Sequence, residues 1–146
     1  MAAFGYLLFF AAIVFLSLEV FRAGKSIASA SWPVTSATLD HWDMEYLDGG
    51  DAVNFSMREI KYSYVVDGRN YVSNVLGYGF PSWIGAEMVD GALGKVFRNA
   101  PNLTVHYKQS HPAHAVLITG FRRYHAFKIV IWAMLSLLGT AVATGG

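Results

Sequence analysis

The chain has 146 residues, 11 Lys or Arg against 10 Asp or Glu, 54% hydrophobic residues and no cysteine. A near-neutral balance without a basic stripe excludes a nucleic-acid footprint. The lack of cysteine excludes disulfides, thiolate metal sites and cysteine nucleophiles.

The charges are unevenly spread. All of them lie between Glu19 and Lys128, leaving Met1 to Leu18 and Ile129 to Gly146 as uncharged, mostly apolar ends of 18 residues each. A helix of that length reaches about 27 Å at roughly 1.5 Å per residue, close to the hydrocarbon thickness of a bilayer. The first run is read as a membrane span over 1–21. Ala28-Ser29-Ala30 resembles a signal-peptide cleavage site. No Lys or Arg precedes the apolar run as a signal n-region requires, so an uncleaved span is the expectation.

A Ser/Ala-rich joint, Ser26 to Ser31, leads into a soluble β-rich domain expected over 31–121. Trp32 to Leu39 is rich in β-formers and reads as a first strand. The acidic stretch Asp40 to Asp51 reads as a surface loop or hairpin end, with Asp48-Gly49-Gly50-Asp51 as the turn signal. Ile60, Tyr62, Tyr64 and Val66 then alternate with less apolar positions, and after Asp67-Gly68 the pattern resumes with Tyr71, Ser73 and Val75. Asp-Gly between alternating runs predicts a type I′ hairpin, because Gly accepts positive φ.

Gly77-Tyr78-Gly79-Phe80-Pro81 reads as a loop. Ile84, Met88, Ala92, Val96 and Phe97 fall at helical spacing and predict one short amphipathic helix. Asn99 to Asn102 closes it, Leu103, Val105 and Tyr107 form another alternating strand, and Ala115 to Ile118 a final short one. The second span is expected over 126–146, anchored at the interface by Lys128 and Trp132. The fold expected is an α+β membrane protein: two transmembrane helices flanking a small antiparallel β domain with one short amphipathic helix. Arg22, Lys25, Arg122, Arg123 and Lys128 flank the domain side of both spans, which favours a cytoplasmic domain. A periplasmic domain is the alternative, for a chain held in a larger complex that dictates its topology.

Three motifs carry a family resemblance: Trp32-Pro33-x-x-x-Ala37-x-Leu39 after the first span, the hairpin Tyr62-x-Tyr64-x-x-x-Gly68-x-x-Tyr71, and Val105-x-Tyr107 followed by Pro112-x-x-Ala115-Val116-Leu117. In this order, over Trp32 to Gly120, they resemble the bacterial membrane proteins containing domain of unknown function 3592. The resemblance implies a domain held between two membrane helices in a bacterial inner membrane. It implies no activity. The stretch Asp40 to Ser56 and the spacing from Tyr107 to Pro112 depart from the family pattern.

No catalytic constellation stands out, and no cofactor is expected. His106, His111 and His114 lie within nine residues and are the candidate metal ligands, but His106 belongs to the polar face of its strand and no acidic partner lies nearby. The acidic stretch lacks the closing Glu and glycine position of a calcium loop. No Gly-x-Ser-x-Gly is present, and Gly77-Tyr78-Gly79 lacks the third glycine of a phosphate loop. Tyr78, Phe80 and Trp83 form an aromatic segment that suits core cover, a membrane surface or a partner. Gly139 and Ala143, four residues apart, suit close approach of another helix.

The favoured function is a non-enzymatic interaction or accessory subunit, presenting its β domain to a larger membrane complex or to copies of itself. Exposed edge strands and the aromatic segment are its basis. The alternatives are a small metal-binding sensor or enzyme using the three histidines, and a lipid-binding module in which Arg22, Lys25, Arg122 and Arg123 meet the membrane surface. The bilayer and other membrane proteins are thus the expected partners, and nucleic acid is not.

Overall fold

A computed structural model describes residues 2–49, 52–80, 83–85 and 93–145. The elements in chain order are α1 (Ala2–Ser29), β1 (Val34–Gly49), β2 (Ala52–Val66), β3 (Arg69–Ser73), β4 (Trp83–Gly85), α2 (Gly94–Phe97), β5 (Asn102–Lys108), β6 (His111–Val116) and α3 (Arg123–Thr144). They divide into two compact units, Met1–Lys25 with Phe121–Gly146, and Ser26–Gly120. The α+β class expected from the sequence is observed, with two long apolar helices bracketing an antiparallel sheet.

In the first unit α1 and α3 are each long and apolar enough to cross a membrane, and only 17% of each apolar window is buried. The core helix of a soluble protein would be mostly covered. Here Phe4, Leu7, Phe10 and Val14 on α1, and Val130, Met134, Leu137 and Leu138 on α3, stand exposed. The helices run antiparallel along a seam of small residues. A Cβ added at Gly139 would fall 2.7 Å from the Phe9 backbone nitrogen, and one added at Gly5 would fall 2.7 Å from the Ala143 Cα. Further along, the Phe15 and Trp132 rings stack at 4.6 Å. α1 continues through the Ser/Ala-rich stretch that reads as a joint. Its serines do not break the helix because their hydroxyls are satisfied: Ser29 Oγ donates to the Ser26 carbonyl at 2.7 Å and Ser26 Oγ to the Gly120 carbonyl at 2.8 Å.

In the second unit the sheet order is β3-β2-β1-β5-β6, with β4 paired to β2. The Asp67-Gly68 turn joins β2 to β3 as expected, both residues having positive φ (51° and 73°), the pattern of a type I′ turn. Ile60, Tyr62, Tyr64 and Val66 all point inward and meet Ala37, Leu103, Val105 and Ala115 in one core. The sheet curls until its outer strands, β3 and β6, lie against each other. The Leu76 carbonyl accepts from the Leu117 and Ile118 amides (3.1 and 2.7 Å), and Gly77 bridges to Ile118. A side chain at Gly77 would meet the Ile118 carbonyl at 2.9 Å, so the closure needs glycine there.

Tyr62 pins this closure. Its fully buried hydroxyl lies 2.8 Å from the Val75 carbonyl, 3.1 Å from Ser73 Oγ and 3.1 Å from the Ala115 carbonyl. A phenol has one proton, and the short contact to Val75 takes it. Ser73 is then placed to donate to the Tyr62 oxygen or to Ala115, while its own oxygen accepts from the Val75 amide at 3.3 Å. Tyr64 reaches the same strand pair from the side, donating to the Pro112 carbonyl at 2.6 Å. Burial pushes the Tyr62 phenol well above its usual range and raises that of Tyr64 as well.

Three expectations are corrected. The hairpin-end reading of the acidic stretch holds, but Asp40 to Gly49 itself is strand rather than loop: β1 and β2 pair from Ala37 with Tyr64 out to Gly49 with Ala52, with register shifts between Leu39 and His41 and between Asp43 and Met44. Trp42-Asp43-Met44-Glu45-Tyr46 carries a period-two alternation that the acid count hides. Ile84, expected on a helix, lies in β4 opposite Phe55. The helix itself is confined to Gly94–Phe97 among the described residues, and the expected helical positions Met88 and Ala92 lie outside them. The last strand begins four residues earlier than read, at His111.

Replacing Tyr62 by Phe keeps the ring and removes the pin, stranding buried carbonyl and hydroxyl groups. A loss of about 1–3 kcal/mol is expected, read as a lower urea midpoint of the full chain in detergent. The native state holds the Tyr62 and Tyr64 protons more tightly than the unfolded chain does. Stability is therefore full below the ordinary phenol value of 10.0 and falls as pH rises beyond it. Tyr62→Phe is expected to flatten that fall, and an alkaline profile unchanged in the variant would contradict the role given to Tyr62.

Candidate functional site at the polar end of the helix pair

The residues singled out from the sequence fall into separate places. Tyr78 meets Trp32 edge-on, ring centroids 6.1 Å apart, and burial raises its phenol above the usual range. Phe80 packs against the sheet core, so this part of the aromatic segment covers the core. Trp83 lies in β4, and its side chain is outside the described residues. Trp42, not singled out from the sequence, stacks on Phe97 at 5.2 Å and is 48% exposed.

The histidines are not gathered. His111 and His114 stack at 5.9 Å, and His111 Nδ1 lies 3.1 Å from Ser110 Oγ. His106 instead pairs in register with Val116, five positions further along β6 than His111. Among the described residues no three His, Cys, Asp or Glu side chains are grouped to hold a metal ion. Of the acidic stretch, Asp40 accepts from Ser63 Oγ at 3.0 Å, and Asp51 lies outside the described residues.

Charge does converge on the helix pair. Five Lys or Arg against Glu19 alone give that unit a net charge of +4, and six against nine leave the β unit at −3, which together make the chain's +1. The antiparallel register brings the cations to one end. Arg22 pairs with Glu19 Oε1 at 2.8 Å, and Lys128 Nζ reaches the same oxygen at 3.7 Å from α3. Lys25 sits 4.5 Å over the Phe21 ring. Arg122 caps α3, its carbonyl accepting from the His125 and Ala126 amides, and Arg123 opens the helix exposed. At the opposite end Gly139 and Ala143 form the close-packed seam with Gly5 and Phe9 of α1.

Two residues of this end were not singled out from the sequence. Glu19 is only 5% exposed although it lies in an apolar helix, and His125 on α3 is fully buried. His125 is enclosed by Phe121 at 5.7 Å and Tyr124 at 4.3 Å. The signal for Glu19 was available, since an ionisable residue inside a spanning helix is costly and marks function. The span expected over 1–21 already contains it. His125 had no such signal, because only tertiary packing buries it.

Residues 34–122 match the family described as Domain of unknown function (DUF3592). The chain belongs to this family. The matched segment covers all six strands and both small-domain tyrosines, Tyr62 and Tyr64, that close the sheet. No curated protein and no solved structure matches the chain. The family carries no assigned activity, so function has to be argued from the charge distribution and the sheet.

A leucine at Gly139 cannot fit against the Phe9 backbone. G139L is expected to move the helix axes apart by about 2 Å, the difference between glycine-mediated and ordinary packing. The cysteine-free chain allows this to be read from spin labels at L7C and L137C on the exposed faces. An unchanged label distance would mean that the seam is not set by Gly139.

Proposed function

We propose that the protein is a non-enzymatic, membrane-anchored interaction subunit of a bacterial inner membrane. Its helix pair crosses the bilayer and its β unit docks onto a larger membrane complex or a second copy of the chain. The observation that carries this reading is the β1–β2 arm. The described core ends at Leu39 and Ile60, yet the two strands stay paired for about ten residues more. At about 3.3 Å per residue such an arm reaches roughly 30 Å. A two-stranded ribbon is marginal in water by itself, and among the described residues the three of β4 reinforce its Asn54–Ser56 section. An arm of this length therefore suits a docking role.

Its charge narrows the partner. Between residues 40 and 49, β1 carries Asp40, Asp43, Glu45 and Asp48 with no Lys or Arg, so the complementary surface is basic. The edge strands that first suggested an interaction role contribute less, because β3 and β6 close on each other. The five cations of the helix pair favour a cytoplasmic β unit by the positive-inside rule. They also support a secondary contact of Arg22, Lys25, Arg122 and Arg123 with anionic lipid headgroups.

Crosslinking in native membranes, followed by mild-detergent extraction and mass determination of the intact species, tests the reading. A mass above the protomer is expected, and D40K/D43K is expected to lower its yield while the β unit keeps its protease resistance. Recovery of monomers alone would overturn it.

A further inference from the structure

We propose that Arg22 and Lys128, held together by the buried carboxylate of Glu19, clamp the phosphate of one anionic lipid whose acyl chain lies along the Phe15–Trp132 stack. The clamp sharpens the lipid contact named above into a single site, and it rests on the helix pair crossing the bilayer.

A carboxylate inside an apolar helix is costly and is kept where it holds partners. Glu19 holds two cations on one oxygen: Arg22 Nη1 at 2.8 Å, from the next turn of α1, and Lys128 Nζ at 3.7 Å, from α3. Those two nitrogens are therefore no farther apart than the two distances taken end to end. A phosphate making charge-assisted contacts of about 2.7–2.9 Å through two of its oxygens spans that separation. Both cations can be reached from outside, since the Arg22 side chain is 49% exposed and that of Lys128 27%, against 6% for Glu19.

Charge matches as well. Two cations on facing helices repel unless an anion lies between them, and the carboxylate removes that repulsion by neutralising one of the pair. The three groups are left with a net charge of +1, equal and opposite to a phosphodiester. Arg22 brings a fork of donors to that anion and Lys128 a point charge. Glu19 does not touch the ligand and is a positioning residue.

The surface next to the clamp makes the ligand a lipid rather than a free phosphate. Phe15 precedes Glu19 by four residues and Trp132 follows Lys128 by four, so each lies about one turn, roughly 5.4 Å, nearer the uncharged end of its helix. Their rings stack at 4.6 Å across the two helices. Phe15, Leu18 and Ile131 are all exposed there. An anion on the clamp thus has an aromatic and apolar ledge directly beside it, where an acyl chain runs. Inorganic phosphate could use only the first of these two features.

Native mass spectrometry of the full chain, released from nanodiscs of phosphatidylcholine and phosphatidylglycerol, tests the site by counting the lipid that stays bound. One phosphatidylglycerol per chain is expected, in preference to phosphatidylcholine. R22Q and K128Q are each expected to lower its retention by more than the roughly fivefold that one cation contributes in a diffuse anionic field, and R123Q by no more than that. E19Q separates the two cases by sign. It makes the site more positive, so a diffuse field would retain more lipid, whereas the clamp loses its organiser and retains less. W132A leaves every charge in place and is also expected to retain less. Glycerol phosphate in excess is expected not to displace the lipid, and displacement would overturn the lipid as ligand. A chain that enters the nanodisc yet holds both lipids alike, or an E19Q chain that holds more phosphatidylglycerol, would overturn the clamp and leave the spanning helices standing. Release of the chain from membranes by alkaline carbonate would overturn both.

Discussion

The hydroxyl of Tyr62 is the group on which the β unit depends, because it is where a sheet of sequentially paired strands becomes a closed one. Strand pairing alone would leave β3 and β6 as edges on opposite sides. Edges of that kind recruit further strands. The phenol reaches across the interior to donate to the Val75 carbonyl just past β3, Ser73 Oγ is placed to serve the Ala115 carbonyl of β6, and the Leu76, Leu117 and Ile118 backbone contacts complete the seam beside them. The curl also explains why one small domain buries so many tyrosines. Rings of Tyr62, Tyr64 and Tyr71 lie 5.7 to 6.1 Å apart in series, filling the interior with apolar area while the Tyr62 and Tyr64 hydroxyls reach backbone acceptors.

Closure frees the remainder of the longest hairpin. Past Leu39 and Ile60 the described core ends, while β1 and β2 stay paired out to Gly49 and Ala52. The acids of β1 suit that situation twice over. Like charges along an exposed edge oppose pairing between ribbons, and in the docking role proposed above they would favour a basic surface. The helix pair carries the opposite charge, and the one acid of that unit is placed to hold two of its cations.

The helix pair meets a different constraint. Two apolar helices that pack without a wider core rely on small residues that let backbones approach and on polar groups that find partners across the contact. α1 and α3 use the first device at one end, through Gly5, Gly139 and Ala143, and the second at the other, through Glu19 and Lys128. The two ends therefore respond to different things. The glycine end is fixed by shape, and the polar end is sensitive to charge.

What the sequence by itself determined is everything governed by local period and composition. Two uncharged ends of spanning length, the Asp67-Gly68 turn with both residues at positive φ, and the inward set Ile60, Tyr62, Tyr64 and Val66 were legible because each depends only on neighbours in the chain. The acidic stretch was misread although its alternation was present, since charge on a ribbon outside the core looks like charge on a loop. Tertiary structure alone decided the rest. That β3 meets β6, that Ile84 joins β2, and that Glu19 meets Lys128 are pairings between segments distant in sequence, and no local period encodes which partner a buried carboxylate or an edge carbonyl will find.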